Sequence, residues 1–213
     1  MSAAAIRLHL NRCHYPVRGL GYGKRVGIWF QGCSIHCPGC IVPETWNASA
    51  QYEVALLPLL RALLPWLEDC EGVTISGGEP FDQPQALLAL LVSIRELIKG
   101  DILVYSGYSY RRLLKKHADL LGKADALISG PFVASRRHPD PTLIGSTNQR
   151  LHLFTALARA RYANWTAFPR AIGIAAADDG LELAGLLRPN DLTQLATSLT
   201  GAGWKATLTH VEV

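Results

Sequence analysis

The sequence predicts an α/β fold in which short apolar strands alternate with amphipathic helices, followed by a smaller tail of different character. Three observations predict it. Residues 26–31, 73–76, 102–105 and 126–129 are short, largely apolar runs, each closed by a turn that contains glycine. Helical stretches separate these runs, which implies parallel βαβ units, and continuous apolar strands suit a sheet covered on both faces. The chain has 213 residues, 49% of them hydrophobic and 18% charged, enough for one ordinary domain with a real core and too apolar for a disordered chain.

Taken in order, residues 26–31 (VGIWFQ) are mostly apolar, β-branched and aromatic, and end at Gly32. The stretch 49–69 is Leu-rich and helical but interrupted by Pro58 and Pro65, so a kink or two short helices is expected. After the strand 73–76 comes the clearest helix, 84–99. Leu87, Leu88, Leu91, Ile94, Leu97 and Ile98 form its apolar face, Asp82 lies just ahead, Pro84 suits the first turn and Gly100 stops it. The strand 102–105 leads to a helix over 110–121 with Arg111, Arg112, Lys115 and Lys116 on its wet side. The strand 126–129 follows, and Asn148-Gln149-Arg150 opens a fifth. Beyond Phe168, residues 171–177 and 181–187 form a hairpin around Asp178-Asp179-Gly180, 190–200 a helix and 204–211 a last strand. This ββαβ pattern divides the chain into a body, 1–168, and a small C-terminal subdomain, 169–213.

Charge supports that division. Residues 1–177 hold 19 basic and 12 acidic side chains, whereas 178–213 hold 2 and 5, so the net charge of +4 is a cancellation. The basic N-terminal stretch carries neither an aromatic RNA-binding signature nor a helix-turn-helix pattern, so nucleic acid is not an expected partner. No apolar run reaches the ~18–20 residues needed to span a bilayer, and the N-terminus has no long apolar segment, so a cytoplasmic protein is expected. Five cysteines, an odd number, make a poor disulfide framework and point to metal or redox chemistry in a reducing compartment.

The sharpest motif is Gln31-Gly-Cys33-Ser-Ile-His-Cys37-Pro-Gly-Cys40, a C-x3-C-x2-C spacing directly after a strand. Three thiolates in one loop can serve one soft metal centre. A [4Fe–4S] cluster held this way keeps one iron free of protein ligands. A structural zinc site needs a fourth ligand, for which His36, Cys13 and His14 are the local candidates. Cys13 and Cys70 are otherwise isolated and read as small apolar residues. His36 reads as exposed, and Arg136-Arg137-His138 as a solvated loop or a docking patch for an acidic partner.

C-x3-C-x2-C after the first strand, with Ser76-Gly77-Gly78-Glu79-Pro80 after the second, resembles the radical S-adenosylmethionine (SAM) superfamily. GCSIHCPGCIVPETW, Val104-Tyr-Ser-Gly-Tyr108, Ile128-Ser-Gly-Pro-Phe132 and Gly145-Ser-Thr-Asn-Gln-Arg150 resemble the activating proteins of anaerobic ribonucleoside-triphosphate reductase, a glycyl-radical activase group. The resemblance covers about residues 10–155 and implies a partial (β/α) barrel, since a full barrel takes about 250 residues.

It further implies that Cys33, Cys37 and Cys40 ligate three irons of a [4Fe–4S] cluster whose fourth iron binds SAM. Electron transfer to the sulfonium then yields a 5′-deoxyadenosyl radical that abstracts a hydrogen atom. Gly39, Cys40 and Ile41 would lie along the adenine, with Ile41 where the group commonly has an aromatic residue. Gly77 and Gly78 would let the backbone approach the methionine part, Glu79 would accept from its ammonium, Pro80 would stiffen the turn, and Ser106 would bond its carboxylate or ribose. The implied partners are a glycyl radical enzyme as protein substrate and a flavodoxin-like or ferredoxin-like electron donor. A small-molecule or peptide substrate is the alternative within radical SAM chemistry, and a non-catalytic iron–sulfur or zinc module the alternative outside it.

Overall fold

The computed structural model describes residues 6–177, 180–188 and 190–203. Seven strands form one sheet in the order β3-β1-β2-β4-β5-β6-β7, with β1 Arg7–Val17, β2 Arg25–Phe30, β3 Glu53–Ala55, β4 Gly72–Gly77, β5 Asp101–Ser106, β6 Ala126–Ser129 and β7 Arg150–Leu153. The central four, β2, β4, β5 and β6, run parallel, as their apolar sequences predict. The flanking pairings β1–β2, β1–β3 and β6–β7 are antiparallel. The fold is thus mixed α/β with a parallel centre.

Alternation along the strands builds the core on two faces. Ile102 and Val104 of β5 face one side, where α1 (Leu56–Asp69) brings Leu56, Leu60, Leu63 and Leu67, and α2 (Pro84–Leu97) brings Leu87, Leu90, Leu91 and Ile94. Leu103 faces the other, packed with Ala126, Ile128, Leu143, Ile144 and Tyr162. The leucines of α1 recur at helical spacing, and burying such side chains contributes roughly 1.5–3 kcal/mol each.

Three expectations are corrected. Residues 49–55 are not α-helical: a single 3-10 turn, Ala50–Tyr52, leads into β3, and α1 begins only at Leu56. Pro58 then falls in its first turn, where no N–H bond is lost, and the helix runs on through Pro65. The helix expected over 110–121 is two, α3 (Tyr110–Lys116) and α4 (Ala118–Leu121), parted at His117 with φ −144° and ψ 36°. The long strand β1 was not foreseen at all.

In the tail, which follows α5 (Ala156–Arg161), β8 (Gly173–Ala177) and β9 (Gly180–Ala184) form a separate antiparallel pair, followed by α6 (Asp191–Gly201). Ala184 is buried with Val17, Leu20 and Trp29 of the body, and Arg170 pairs with Asp191. The strand expected over 204–211 and the turn residues 178–179 lie outside the described residues. Among the described residues, no helix is long and apolar enough to cross a membrane.

Candidate functional site

Parallel strands deliver their connecting loops to one edge, at the strands' carboxyl ends, and three of the sequence motifs meet there. The fully buried β2 ends at Phe30. Gln31, 1% exposed, then anchors the chain by donating to the Glu44 and Asn47 carbonyls at 2.8 Å each. The Gly32 N–H donates to Thr45 O at 2.7 Å and the Cys33 N–H to Trp46 O at 3.0 Å, so Thr45 and Trp46 close the cysteine loop from behind. Within it, His36 (φ 49°) and Gly39 (φ 73°) occupy the left-handed region immediately before Cys37 and Cys40. Such a φ is uncommon for a residue with a side chain. His36 is exposed, and its ring stacks on Trp46 with centroids 4.8 Å apart.

Cys33, Cys37 and Cys40 are free and partly buried on this loop. Burial raises the Cys33 thiol above its ordinary value, opposed by the backbone N–H groups of His36 and Ile35. Burial also raises Cys37, opposed by the N–H of Phe132. These N–H groups favour the thiolate form that ligation requires. Among the described residues, no three His, Cys, Asp or Glu side chains are gathered to hold a single metal ion. Three cysteine thiols on one loop are a donor set of the kind that holds an iron–sulfur cluster, each thiolate serving a different iron. Cys13 lies opposite Ile28 in the β1–β2 pairing, its thiol pushed up to about 12 by burial, and is not on this loop.

The Ser76–Pro80 turn is pressed directly onto the start of the cysteine loop. Gly78 N–H donates to Phe30 O and Glu79 N–H to Gly32 O, both at 2.8 Å. A Cβ on Gly77 (φ 104°) would lie 2.3 Å from Phe30 N, and one on Gly78 would lie 2.1 Å from Gly32 O. Both glycines are therefore demanded by contact between the two loops, whatever else approaches them. Pro80 is buried at the start of a single turn, Pro80–Asp82.

Glu79 is 0% exposed and Ser106 5% exposed. The Glu79 carboxylate accepts from Ser106 Oγ at 2.9 Å, Gly107 N at 2.8 Å and Phe81 N at 3.1 Å. Burial pushes its carboxyl up to about 7, against the opposing pull of these donors. The two residues read from sequence as contacts to SAM are here bonded to each other, clipping the ends of β4 and β5 together. Ile41 is 50% exposed.

The loop after β6 completes the edge. Gly130 N–H donates to Tyr108 O at 2.9 Å, and Phe132 and Ala134 approach the space beside Gly39. Asn148 donates to Pro131 O at 2.8 Å and Gln149 to Gly130 O at 3.1 Å, while Arg150 is exposed. The first two thus brace this loop.

Two cavities flank the cysteine loop. One, of about 660 Å³, is lined by residues that include Arg7, His9, Cys33, Trp46 and Asp82. The other, of about 410 Å³, is lined by Ser34, Ile35, Gly107, Tyr108, Ser109, Arg112 and Pro131. Sequence reasoning assigned no site role to Ser34, Asp82 or Tyr108. Asp82 reads as a helix leader, but Gln83 occupies the N-cap of α2 and the Asp82 carboxylate instead receives Ser34 and Tyr108.

A family model described as a 4Fe-4S single cluster domain matches residues 19–152. The chain is 30% identical over 148 residues to the anaerobic ribonucleoside-triphosphate reductase-activating protein of Haemophilus influenzae, covering 66% of this chain and 96% of that one. Its likeness to the protein of the same name from Escherichia coli K12 is 30% over 146 residues, 65% and 95% of the two chains. The pyruvate formate-lyase-activating enzyme of Clostridium pasteurianum is 36% identical over 107 residues, 47% of this chain and 45% of its own.

Proposed function

The chain belongs to the 4Fe-4S single cluster domain family, and from that premise we propose that it is a radical SAM activating enzyme that installs a glycyl radical on a partner enzyme such as an anaerobic ribonucleotide reductase. The observation that carries this reading is the direct seating of the Ser76–Pro80 turn on the three-cysteine loop through the Phe30 and Gly32 carbonyls. Likeness over nearly the whole length of reductase-activating proteins supports the choice of partner.

In this reading Cys33, Cys37 and Cys40 hold a [4Fe–4S] cluster. Gly39, Cys40, Ile41, Gly77, Gly78, Glu79, Pro80 and Ser106 would bind SAM, the buried Glu79, Pro80 and Ser106 by shaping the turn from behind. When bound, such a cluster would supply the one-electron reduction of SAM from which the radical chemistry starts, with Cys33, Cys37 and Cys40 holding it beside the Gly77–Gly78 backbone. The chain's own residues contribute alignment. Glu79, held by Ser106 and Gly107, fixes the turn rather than offering an exposed carboxylate, and Ile41 presents an apolar surface. The electron comes from an external one-electron carrier of the flavodoxin or ferredoxin kind.

We further read the sheet as a partial barrel and residues 169–213 as a separate small unit, supported by the independent β8–β9 pair. Five free cysteines support a reducing, cytoplasmic setting. The test is anaerobic reconstitution with iron and sulfide, followed by SAM and a strong reductant. Formation of 5′-deoxyadenosine, and a glycyl-radical EPR doublet on an added reductase, is expected. A colourless protein that forms neither overturns the reading.

A further inference from the structure

We propose that Ser34, Asp82 and Tyr108 form a latch that fixes the cysteine loop against the SAM-binding turns, with Asp82 as a positioning residue; this rests on the radical SAM reading above. Each residue comes from a different loop. Ser34 follows the first cluster cysteine, Asp82 closes the turn after Pro80, and Tyr108 lies just beyond β5. Asp82 Oδ2 accepts the Ser34 N–H at 2.8 Å, and Oδ1 accepts the Ser34 hydroxyl at 3.2 Å and the Tyr108 hydroxyl at 2.5 Å. The two hydroxyls are themselves 2.8 Å apart. The Arg112 guanidinium lies 3.6 Å above the Tyr108 ring and restrains it.

This arrangement adjoins the clip that holds the sheet edge together, through the Tyr108 N–H that donates to Ser106 Oγ at 3.1 Å, but uses different side chains. The ends of β4 and β5 are already joined by the Glu79 carboxylate, the Ser106 hydroxyl and the Gly107 N–H, a buried layer that meets the cysteine loop through the Glu79 N–H on Gly32 O but makes no bond to Ser34. The latch adds a side-chain tie to Ser34, beyond Cys33. Committing the Ser34 N–H to a carboxylate sets the plane of the Cys33–Ser34 peptide, and with it the direction in which Cys33 projects. The two carboxyl oxygens together take three donors, two of them from Ser34. Position reinforces the argument: Ser34 lines both cavities, Asp82 the larger and Tyr108 the smaller, so the latch is the partition between them. A loosened partition lets the cluster shift relative to the turns without losing any of its three thiols.

The test compares wild type with Asp82→Ala, Asp82→Asn and Tyr108→Phe, each as the reconstituted full chain. Iron per chain, SAM affinity and the EPR spectrum of the reduced cluster with and without SAM are measured. The expected result is wild-type iron content with SAM affinity reduced about tenfold in Asp82→Ala, which corresponds to about 1.4 kcal/mol. The SAM-induced change in the EPR spectrum should shrink in parallel. Asp82→Asn, which keeps one acceptor oxygen, should fall between, and adding Tyr108→Phe to Asp82→Ala should cost little more because both act on one network. Variants that bind SAM like wild type, or that lose iron in step with SAM, overturn the latch. A wild type that takes up no cluster overturns the functional reading and the latch together, whereas a competent wild type matched by its variants overturns the latch alone.

Discussion

The two ends of the same parallel strands bury carboxylates in opposite ways. At the N-terminal end, Asp101 of β5 is 0% exposed and faces two arginines. Arg25 contacts both of its oxygens, at 2.9 and 3.2 Å, and Arg161 donates at 2.6 Å, with the Tyr162 hydroxyl at 2.7 Å. At the C-terminal end, Glu79 after β4 is equally buried but receives only a hydroxyl and backbone N–H groups. Desolvation pushes both carboxyls upward. At Asp101 the arginines reverse the sign and hold it below its ordinary value, while at Glu79 nothing does and it stays near 7. One end is electrostatically complete and serves the fold. At the other, among the described residues, no cation is bonded to the buried carboxylate, the kind of unbalanced site that accompanies function.

The sharpest way to break this contrast is at the open end. Cys37→Ala removes one of the three proposed cluster ligands, and we expect loss of the iron-dependent visible absorbance and of 5′-deoxyadenosine formation, with the fold retained by far-UV circular dichroism. Retention of both signals would remove Cys37 from the cluster. Next is the closed end: Arg25→Met strips a fully buried carboxylate of its main partner, which costs about 3–5 kcal/mol. A lowered urea midpoint should be the readout, with the iron content of the folded fraction unchanged.

Much of this contrast was legible in the sequence, but unevenly. The four central strands fall within one residue of their expected bounds, because a strand buried on both faces is written as an uninterrupted apolar run. β1 escaped because Arg7, His9, Asn11, Arg12 and His14 hide its pattern; most of its residues are only partly buried. β3 has three residues and exists only by pairing Arg7–His9 with Ala55–Glu53, so nothing local announces it. The break at His117 involves neither Gly nor Pro. In the site, cysteine and glycine spacings were readable because their chemistry is local. The glycines' packing reason was not, nor was the latch, whose members Ser34 and Tyr108 stand 74 positions apart.

A smaller effect sharpens the difference in protonation. Glu79 titrates near 7 in the folded chain against an ordinary 4.5, so the folded state holds its proton more tightly than the unfolded state. The resulting stabilisation is complete below the unfolded value and is lost as pH rises through the folded one. Glu79→Gln abolishes this dependence. Between pH ~4.5 and ~7 the stability of wild type relative to the variant should fall by about 1.4 kcal/mol per pH unit, and then level off. Parallel unfolding curves across that range would mean that Glu79 is not held as described. Asp101 carries the opposite sign: its contribution is present above its unfolded value and is lost as pH falls.

The smallest effect is expected one residue away from the largest structural one. Lys24 and Arg25 are neighbours, and each donates to an aspartate: Lys24 to Asp69 at 2.8 Å, Arg25 to Asp101 at 2.9 Å. The Asp69 side chain is 64% exposed, whereas Asp101 is fully enclosed. In water an ion pair exchanges solvation for a screened attraction and gains little, while an enclosed carboxylate has no solvent to return to when its partner is removed. Lys24→Met should therefore leave the urea midpoint where it is in moderate salt, beside a large drop for Arg25→Met. Equal losses at the two positions would show that the number of ion pairs, rather than their enclosure, sets stability at this end of the sheet.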